Sequence, residues 1–491
     1  MVSTGPPQFL LSRWLFLRLL AVVYLLAFAS LTAQIVPLVG ENGLAPLGMY
    51  LNAAHELWGS GAYYRMPTLT WLSASDAFLS TLCWGGMILS ALAIAGIAPV
   101  AMFTCLWTFY LSLTVAGQDF LSFQWDALLL EAGLLAIFYS SLGWWPRLAT
   151  ERMPLAPIRW LLWGLAFKLT FLSGITKLLS GDPTWWDFTA LTFHYETQPI
   201  PTWTSWYAHN LPEWFSKISV GGALFIELVV PFLILVPVRY RSVRVLAVAL
   251  MCTLQVGIGV TGNYGFFNLL AVVLYLALLD DVTIATLLPG RAKVAAITGR
   301  NIEPKSWRIL VAGMVVAIGT LSAMTLVREM THTRSQPAWS SLMLNWIAPT
   351  RSINGYGLFR TMTTERPEIV IEGSRDGGSW TEYTFRWKVG DVARRPRFVQ
   401  PHMPRLDWQM WFAALDPQRE THWLIPFVQR LLVGSPAIIS LLDENPFADE
   451  PPAYVRLSMY RYRFTTRVEG TDGLWWRREF VRRLTGPLSR E

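Results

Sequence analysis

Charged residues and cysteines are scarce in this chain of 491 residues. Only 15% of the residues are charged, and the mean hydropathy is +0.37, whereas roughly a quarter of the residues of soluble proteins are charged. This composition excludes a disordered or fibrous protein and argues against an ordinary soluble fold. The three cysteines, Cys83, Cys105 and Cys252, all lie in apolar segments and form no CxxC pair, so disulfides and thiol redox chemistry have no support. The composition is that of a multi-pass membrane protein.

Familiar enzyme motifs are also absent. The chain contains no GxSxG, P-loop or GxGxxG sequence, and its histidines form no HExxH or other metal-ligand spacing. We therefore expect no metal and no cofactor. The net charge of +7 comes without a basic run, so we expect no nucleic-acid partner and attribute the charge to basic loops at the membrane.

Nine apolar segments are long enough to be membrane spans, which need about 20 predominantly apolar residues. The first is too long for a signal-peptide core and is interpreted as a retained helix. The segments are 14–38, 77–97, 99–117, 125–142, 159–180, 218–237, 244–261, 264–280 and 308–327.

Basic residues in the short loops predict a cytoplasmic N-terminus. The loops predicted to lie inside carry most of the cations, whereas the outer loops carry only Arg65 and Lys217. The inner cations are Arg147, Arg152, Arg159, Arg239, Arg241, Arg244, Arg291, Lys293, Arg300, Lys305 and Arg308. An odd number of spans then places the C-terminal region in the lumen or the periplasm.

The composition changes near residue 328, so we predict a membrane domain over 1–328 and an outer domain over 329–491. Segments 368–372 and 380–387 alternate as strands do and flank the turn sequence 373–378, which indicates a mainly β, sandwich-like domain. A Trp-rich outer loop at 181–217 is expected to fold against the membrane surface or against this domain.

Ionisable residues inside the predicted spans are candidate functional residues, because charge is costly in the bilayer. From their depths we predict two pairs, Lys168 with Glu227 and Lys177 with Glu131. Two roles stay open: the pairs neutralise one another and fix the helix register, or they line a buried polar cavity. Lys177 could act as a base or nucleophile if its pocket is apolar, with Glu131 or His194 assisting, or it could reach the outer interface.

The segment 404–412 gathers Arg405, Asp407, Trp408 and Trp411 in the outer domain. Such residues are typical of protein-binding surfaces, and equally of a core corner with a buried ion pair. We predict that these four side chains bind a client protein.

Several long motifs resemble the lipase maturation factor family across nearly the whole chain. They are 123–133 (FQWDALLLEAG), 187–199 (DFTALTFHYETQP), 262–268 (GNYGFFN), 356–362, 368–373, 404–412 and 460–464. The resemblance implies a membrane-bound maturation factor, a chaperone for secreted lipases or similar clients, with a lumenal C-terminal domain. It implies the endoplasmic reticulum in animals, or the inner membrane for a bacterial relative.

A shorter stretch, 173–178 with the following Asp and Trp residues, is similar to the active-site region of vitamin K-dependent carboxylases. This resemblance implies the alternative hypothesis of a membrane enzyme that acts on a lipid-soluble substrate, with Lys177 as base. A chaperone with a secreted client and membrane lipid as partners is the hypothesis we favour.

Overall fold

The computed structural model describes residues 8–146, 148, 151–287, 303–331 and 337–490. Its first part is a bundle of apolar helices, and its last part is a smaller domain with antiparallel sheets. The two parts share a continuous apolar core.

The first part of the chain forms sixteen helices within the described residues. In chain order they are α1 (Leu10–Thr32), α2 (Ile35–Val39), α3 (Leu47–Trp58), α4 (Gly61–Arg65), α5 (Asp76–Ala95), α6 (Pro99–Ala116), α7 (Gln124–Tyr139), α8 (Ala156–Leu179), α9 (Pro183–Trp186), α10 (Ala190–Thr197), α11 (Trp203–His209), α12 (Glu213–Leu228), α13 (Arg241–Thr261), α14 (Phe267–Leu276), α15 (Asp281–Leu287) and α16 (Lys305–Thr331).

Seven helical segments of the described chain are long and apolar enough to cross a membrane. They are α1, α5, α6, α8, α12 with the 3₁₀ turn after it, α13 and α16. Two further predicted segments, 125–142 and 264–280, contain α7 and α14, which have 16 and 10 residues. The multi-pass membrane domain is therefore confirmed, and the count of nine spans stays a prediction.

Ion pairs and capping contacts gather several loops at one end of the bundle, here called the basic end. Arg13 pairs with Glu151 at 3.1 Å, and Arg241 pairs with Asp280 at 2.8 Å. The Asp281 carboxylate accepts the backbone N–H groups of residues 10 and 12. The C-terminal domain contacts the opposite end of the bundle, called the domain end. This arrangement matches the charge pattern, although the side that faces the cytoplasm stays a prediction.

Some predicted inner cations lie outside the described residues, so the structure does not place them. They are Arg147, Arg291, Lys293 and Arg300.

The last part of the chain begins with α17 (Ala338–Ile347) and continues as strands and three more helices. These elements are β1 (Arg366–Ser374), β2 (Thr381–Glu382), β3 (Thr384–Phe385), α18 (Arg405–Leu415), α19 (Thr421–Leu432), α20 (Pro436–Ile439), β4 (Leu442–Glu444), β5 (Tyr454–Phe464), β6 (Trp476–Arg483) and β7 (Leu488–Ser489).

Antiparallel pairing runs through this domain, as the strand pattern predicts. The main sheet has the order β2-β1-β5-β6, and β7 pairs with β5 beyond the end of β6. Gly373 opposite Thr381 closes the predicted hairpin. Strands β3 and β4 form a second, small sheet. Helix α18, which packs against β1, has no counterpart in the sequence prediction.

The Trp-rich loop folds against the C-terminal domain, which was one of its two expected positions. The indole of Trp206 donates to the Thr465 hydroxyl at 3.0 Å and packs edge-on against Trp475. The buried Arg366 guanidinium donates to three loop carbonyls, those of residues 196, 198 and 199. Two other tryptophans of the loop, Trp186 and Trp214, remain 59% and 62% exposed.

Candidate functional site

Two buried ion pairs cross the bundle, but the partners differ from the predicted ones. Lys168 on α8 pairs with Glu131 on α7 at 2.5 Å, and Lys177 on α8 pairs with Glu227 on α12 at 2.6 Å. The predicted pairs were wrong because depth was counted from incorrect helix bounds. Helix α7 ends at residue 139, and α12 begins at residue 213.

Close approach of α8 and α12 brings the second pair together. A Cβ atom added at Gly174 would lie 2.8 Å from the Cβ of Glu227, so only glycine allows the two helices to come this close. Glu227 is thereby held beside Lys177, one helical turn along α8.

The Lys168–Glu131 pair is also a contact between the two parts of the chain. The second carboxylate oxygen of Glu131 accepts the Tyr356 hydroxyl at 2.6 Å and the Asn354 backbone N–H at 3.2 Å. Residues 354–356 precede the first strand of the C-terminal domain. The carboxylate therefore anchors this segment at the domain end of the bundle, and its hydrogen bonds are satisfied although it is buried.

Lys177 is occupied by its ion pair. Both oxygens of Glu227 lie 2.6 Å from its Nζ, and its ammonium also lies 4.8 Å from the centre of the Trp185 ring. Glu131 contacts Lys168 and not Lys177. Nothing in this geometry supports the enzyme hypothesis, because the Nζ of Lys177 is engaged by both carboxylate oxygens of Glu227 and the proposed assistant Glu131 lies elsewhere.

His194 lies in the Trp-rich loop, where it has a structural contact. Its Nε2 is 3.0 Å from the hydroxyl of Tyr264, and its ring packs edge-on against Phe359. Burial lowers the pKa of His194 to about 3, and the nearby Lys177 charge acts in the same direction. The imidazole is therefore neutral at physiological pH, held between the loop and residues 352–362.

Arg405 forms the most deeply buried link between the two parts. Its guanidinium donates to both oxygens of Asp126 on α7, at 2.5 and 2.8 Å. The same carboxylate accepts the Tyr110 hydroxyl at 2.5 Å, and Arg405 also donates to the carbonyl of Phe120 at 3.1 Å. Each of the two charged side chains is at most 1% exposed. The ion pair thus joins α18 to α6 and α7 where both side chains are buried from solvent.

The four residues predicted to bind a client are all buried, so the expected exposure was wrong. Trp408 and Trp411 are 2% and 7% exposed, and the Trp411 indole donates to the Thr197 carbonyl at 2.8 Å. Asp407 accepts the backbone N–H groups of residues 387 and 388. In this conformation a client cannot reach these side chains, and the core-corner alternative describes them. The ion-pair partner of Arg405 is Asp126, not Asp407.

An open groove lies elsewhere on the C-terminal domain, between α19 and the end of β6 with β7. Its volume is about 870 Å³. Nine of its lining residues are aliphatic: Leu415, Leu424, Ile425, Val428, Leu432, Val433, Leu457, Leu484 and Leu488. Arg482, Arg483 and Arg490 also line it. Sequence analysis missed this site. The signal was the apolar residue Ile425, which lies outside the set of residues that α19 buries, and the apolar Val433 directly after the helix.

The described residues contain no cluster of His, Cys, Asp or Glu that could hold a metal ion. His209 lies 3.8 Å from Glu196, so the two histidines of the loop have separate partners. His402 and His422 contact Ser30 and Asp119 at the domain end.

These features define a class of protein: a multi-pass membrane protein whose C-terminal antiparallel domain is anchored to one end of the helical bundle. The family model described as the lipase maturation factor transmembrane domain matches residues 11–286, and the model of the lipase maturation factor C-terminal domain matches residues 352–486. The chain belongs to the lipase maturation factor family.

Similar animal proteins cover almost the whole chain. Lipase maturation factor 2 of Gallus gallus is 36% identical over 97% of this chain and 81% of its own length. The Homo sapiens protein of the same name is 35% identical over 96% and 82%. Lipase maturation factor 1 of Bos taurus is 35% identical over 98% and 90%. None of these relatives supports the bacterial alternative, and no solved structure matches the chain.

Replacing Arg405 with methionine should destabilise the protein strongly. The change leaves the Asp126 carboxylate buried without its counter-charge, which should lower the free energy of unfolding by about 3–5 kcal/mol. Denaturant unfolding of the full chain in detergent measures the loss. Arg461→Met is the control, because Arg461 is half exposed and pairs with the exposed Glu365 at 3.2 Å, so its loss should be at most about 1 kcal/mol. Equal losses for the two variants would contradict the role of the buried pair.

Double-mutant cycles should reveal the observed pairing of the bundle charges. Lys168→Met combined with Glu131→Gln should show a coupling free energy of about 1 kcal/mol or more, because the first change already removes the partner of the second. The cross-combination of Lys168→Met with Glu227→Gln should be additive within about 0.5 kcal/mol. Free energies of unfolding of the full chain give both values. Coupling only between Lys168 and Glu227 would contradict the observed pairing and support the pairing first predicted from sequence.

The stability of Asp407→Asn should depend on pH differently from that of the natural chain. Burial raises the pKa of Asp407 from 3.8 to about 6. Between these values the folded protein holds a proton that the unfolded chain releases, so the natural chain loses stability relative to the variant as pH rises from about 4 to 6. Thermal unfolding at a series of pH values measures the difference. Burial also lowers the pKa of His402 to about 4, but His402 is present in both chains and does not change the difference between them. A difference in stability that stays constant with pH would refute the raised pKa of Asp407.

Proposed function

We propose that the protein is a membrane-bound maturation factor that assists the folding and assembly of secreted lipases or similar clients. Membership of the lipase maturation factor family over both parts of the chain carries this proposal. The structure of this chain also offers a surface that could bind a client. The C-terminal domain is fixed to the bundle by a buried ion pair and presents an apolar groove. Transient burial of apolar client surface in such a groove limits aggregation.

The proposal includes a location and an orientation. The relatives are animal proteins, which favours the membrane of the endoplasmic reticulum. The basic residues at one end of the bundle favour a cytoplasmic position for that end. The domain end would then carry the C-terminal domain in the lumen, where secreted proteins fold, and the exposed apolar faces of the bundle would contact membrane lipid.

Co-expression with a secreted lipase tests the function. In cells that lack the gene, the chain should raise lipase activity per unit of secreted lipase protein. No effect of the natural chain would refute the proposal.

A variant with Lys177→Met and Glu227→Gln should retain this activity at matched membrane levels, because the pair is removed as a whole and no buried charge is left without a partner. The Arg405→Met variant should lose activity in proportion to its loss of folded protein. Loss of activity in the Lys177–Glu227 variant despite normal folding would instead indicate chemistry at this site.

A further inference from the structure

We propose that the groove between α19 and β6–β7 binds an acidic, amphipathic segment of the client polypeptide. The inference rests on the proposed function and names the surface that would bind the client. The groove takes this role instead of the segment 404–412, in which the four side chains first predicted to bind a client are buried.

Exposed apolar side chains of the last part of the chain gather in two places, the helix α17 and this groove. Within the described residues 337–490, twelve large apolar side chains are exposed, and four of them lie on α17. Leu415, Ile425, Val433 and Leu488 line the groove, at 39%, 54%, 55% and 40% exposure. Phe480 and Val481 precede it on β6, at 52% and 47%. Such a concentration of exposed apolar side chains is typical of an interaction site.

The excess of basic residues around the groove favours an acidic partner. Residues 454–490 contain nine arginines and three acidic residues. Arg482 and Arg483 line the groove together with one carboxylate, Asp416. Neither arginine forms a salt bridge within the described residues, and the charge of Arg483 contributes to lowering the pKa of Glu372. Unpaired arginines favour a partner that brings carboxylates and disfavour one that brings cations. The side chain of Arg490, directly after β7, donates to the Leu432 carbonyl of α19 at 2.6 Å and so connects the two sides of the groove.

A polypeptide fits this surface better than a single acyl chain. The apolar residues lie on a helix, on β7 and along β6, so they present several separate contacts rather than one channel. An amphipathic segment meets such a surface with apolar residues at helical spacing and leaves its carboxylates at the rim. The secreted client, not yet folded, supplies segments of this kind before its own core forms.

Peptide binding to the full chain in phosphatidylcholine nanodiscs tests the proposal. The probe is a fluorescent peptide of roughly 15 residues, with leucines at helical spacing and glutamates between them. Its twin has lysine in place of each glutamate. Fluorescence anisotropy should show binding of the acidic peptide at least about tenfold tighter than that of the basic twin.

Groove variants should weaken that binding, and variants elsewhere should not. Arg482→Glu with Arg483→Glu should lower the affinity about tenfold or more, whereas Arg397→Glu, in the exposed segment beside the bundle, should leave it unchanged. Ile425→Asp should also weaken binding, and Phe398→Asp is its control at a similarly exposed site (54% and 41%). All five substitutions affect exposed or groove-lining residues, and thermal unfolding of the same samples checks that each variant is folded.

Several outcomes would overturn the groove assignment. They are the absence of binding, equal affinity for the two peptides, or equal weakening by the control variants. Binding of oleate but not of the acidic peptide would identify a lipid site instead. The assay contains no lipase. Lipase maturation without peptide binding therefore rejects the groove and leaves the proposed function, whereas peptide binding without lipase maturation rejects the proposed function.

Discussion

The contact on which the architecture depends is the buried ion pair between Arg405 and Asp126. A guanidinium and a carboxylate removed from water are tolerated only when each satisfies the other, and here Tyr110 and a backbone carbonyl complete the hydrogen bonding. The pair joins the first helix of the C-terminal domain to two helices of the bundle. Since separating the two parts would leave both charges without partners, the domain has one position on the bundle rather than a range of positions.

The other polar contacts at the domain end act in the same direction. Glu131 holds Lys168 on one side and Tyr356 on the other, and Arg366 ties the Trp-rich loop to the sheet. Together with the Lys177–Glu227 pair, these contacts engage the charged residues that first suggested catalysis. What they leave open is the outer surface of the C-terminal domain, where apolar and arginine side chains meet in one groove. The ionisable residues of the interior that the structure describes thus have partners within the chain, and the groove offers a partner an exposed surface on the C-terminal domain.

Much of the fold was predictable from the sequence because it follows from local patterns. Apolar runs gave the helices of the membrane domain, alternation gave the β1–β2 hairpin, and long motifs gave the family. The candidate site was less predictable. The pairing of Lys168 and Lys177 depends on how far each helix extends and how it is rotated, and Trp408 with Trp411 looks the same in sequence whether it faces water or the Trp-rich loop.

The sequence by itself determined the membrane class, the two-part organisation and the membership of the lipase maturation factor family, because hydropathy, composition and motif are properties of the chain. Only the tertiary structure decided which charges meet, which tryptophans are buried and where the exposed apolar surface lies. The physical reason is that each of these depends on residues far apart in the chain, such as Asp126 and Arg405 or Ile425 and Arg482. Packing brings such residues together, and no periodicity within one segment records that contact.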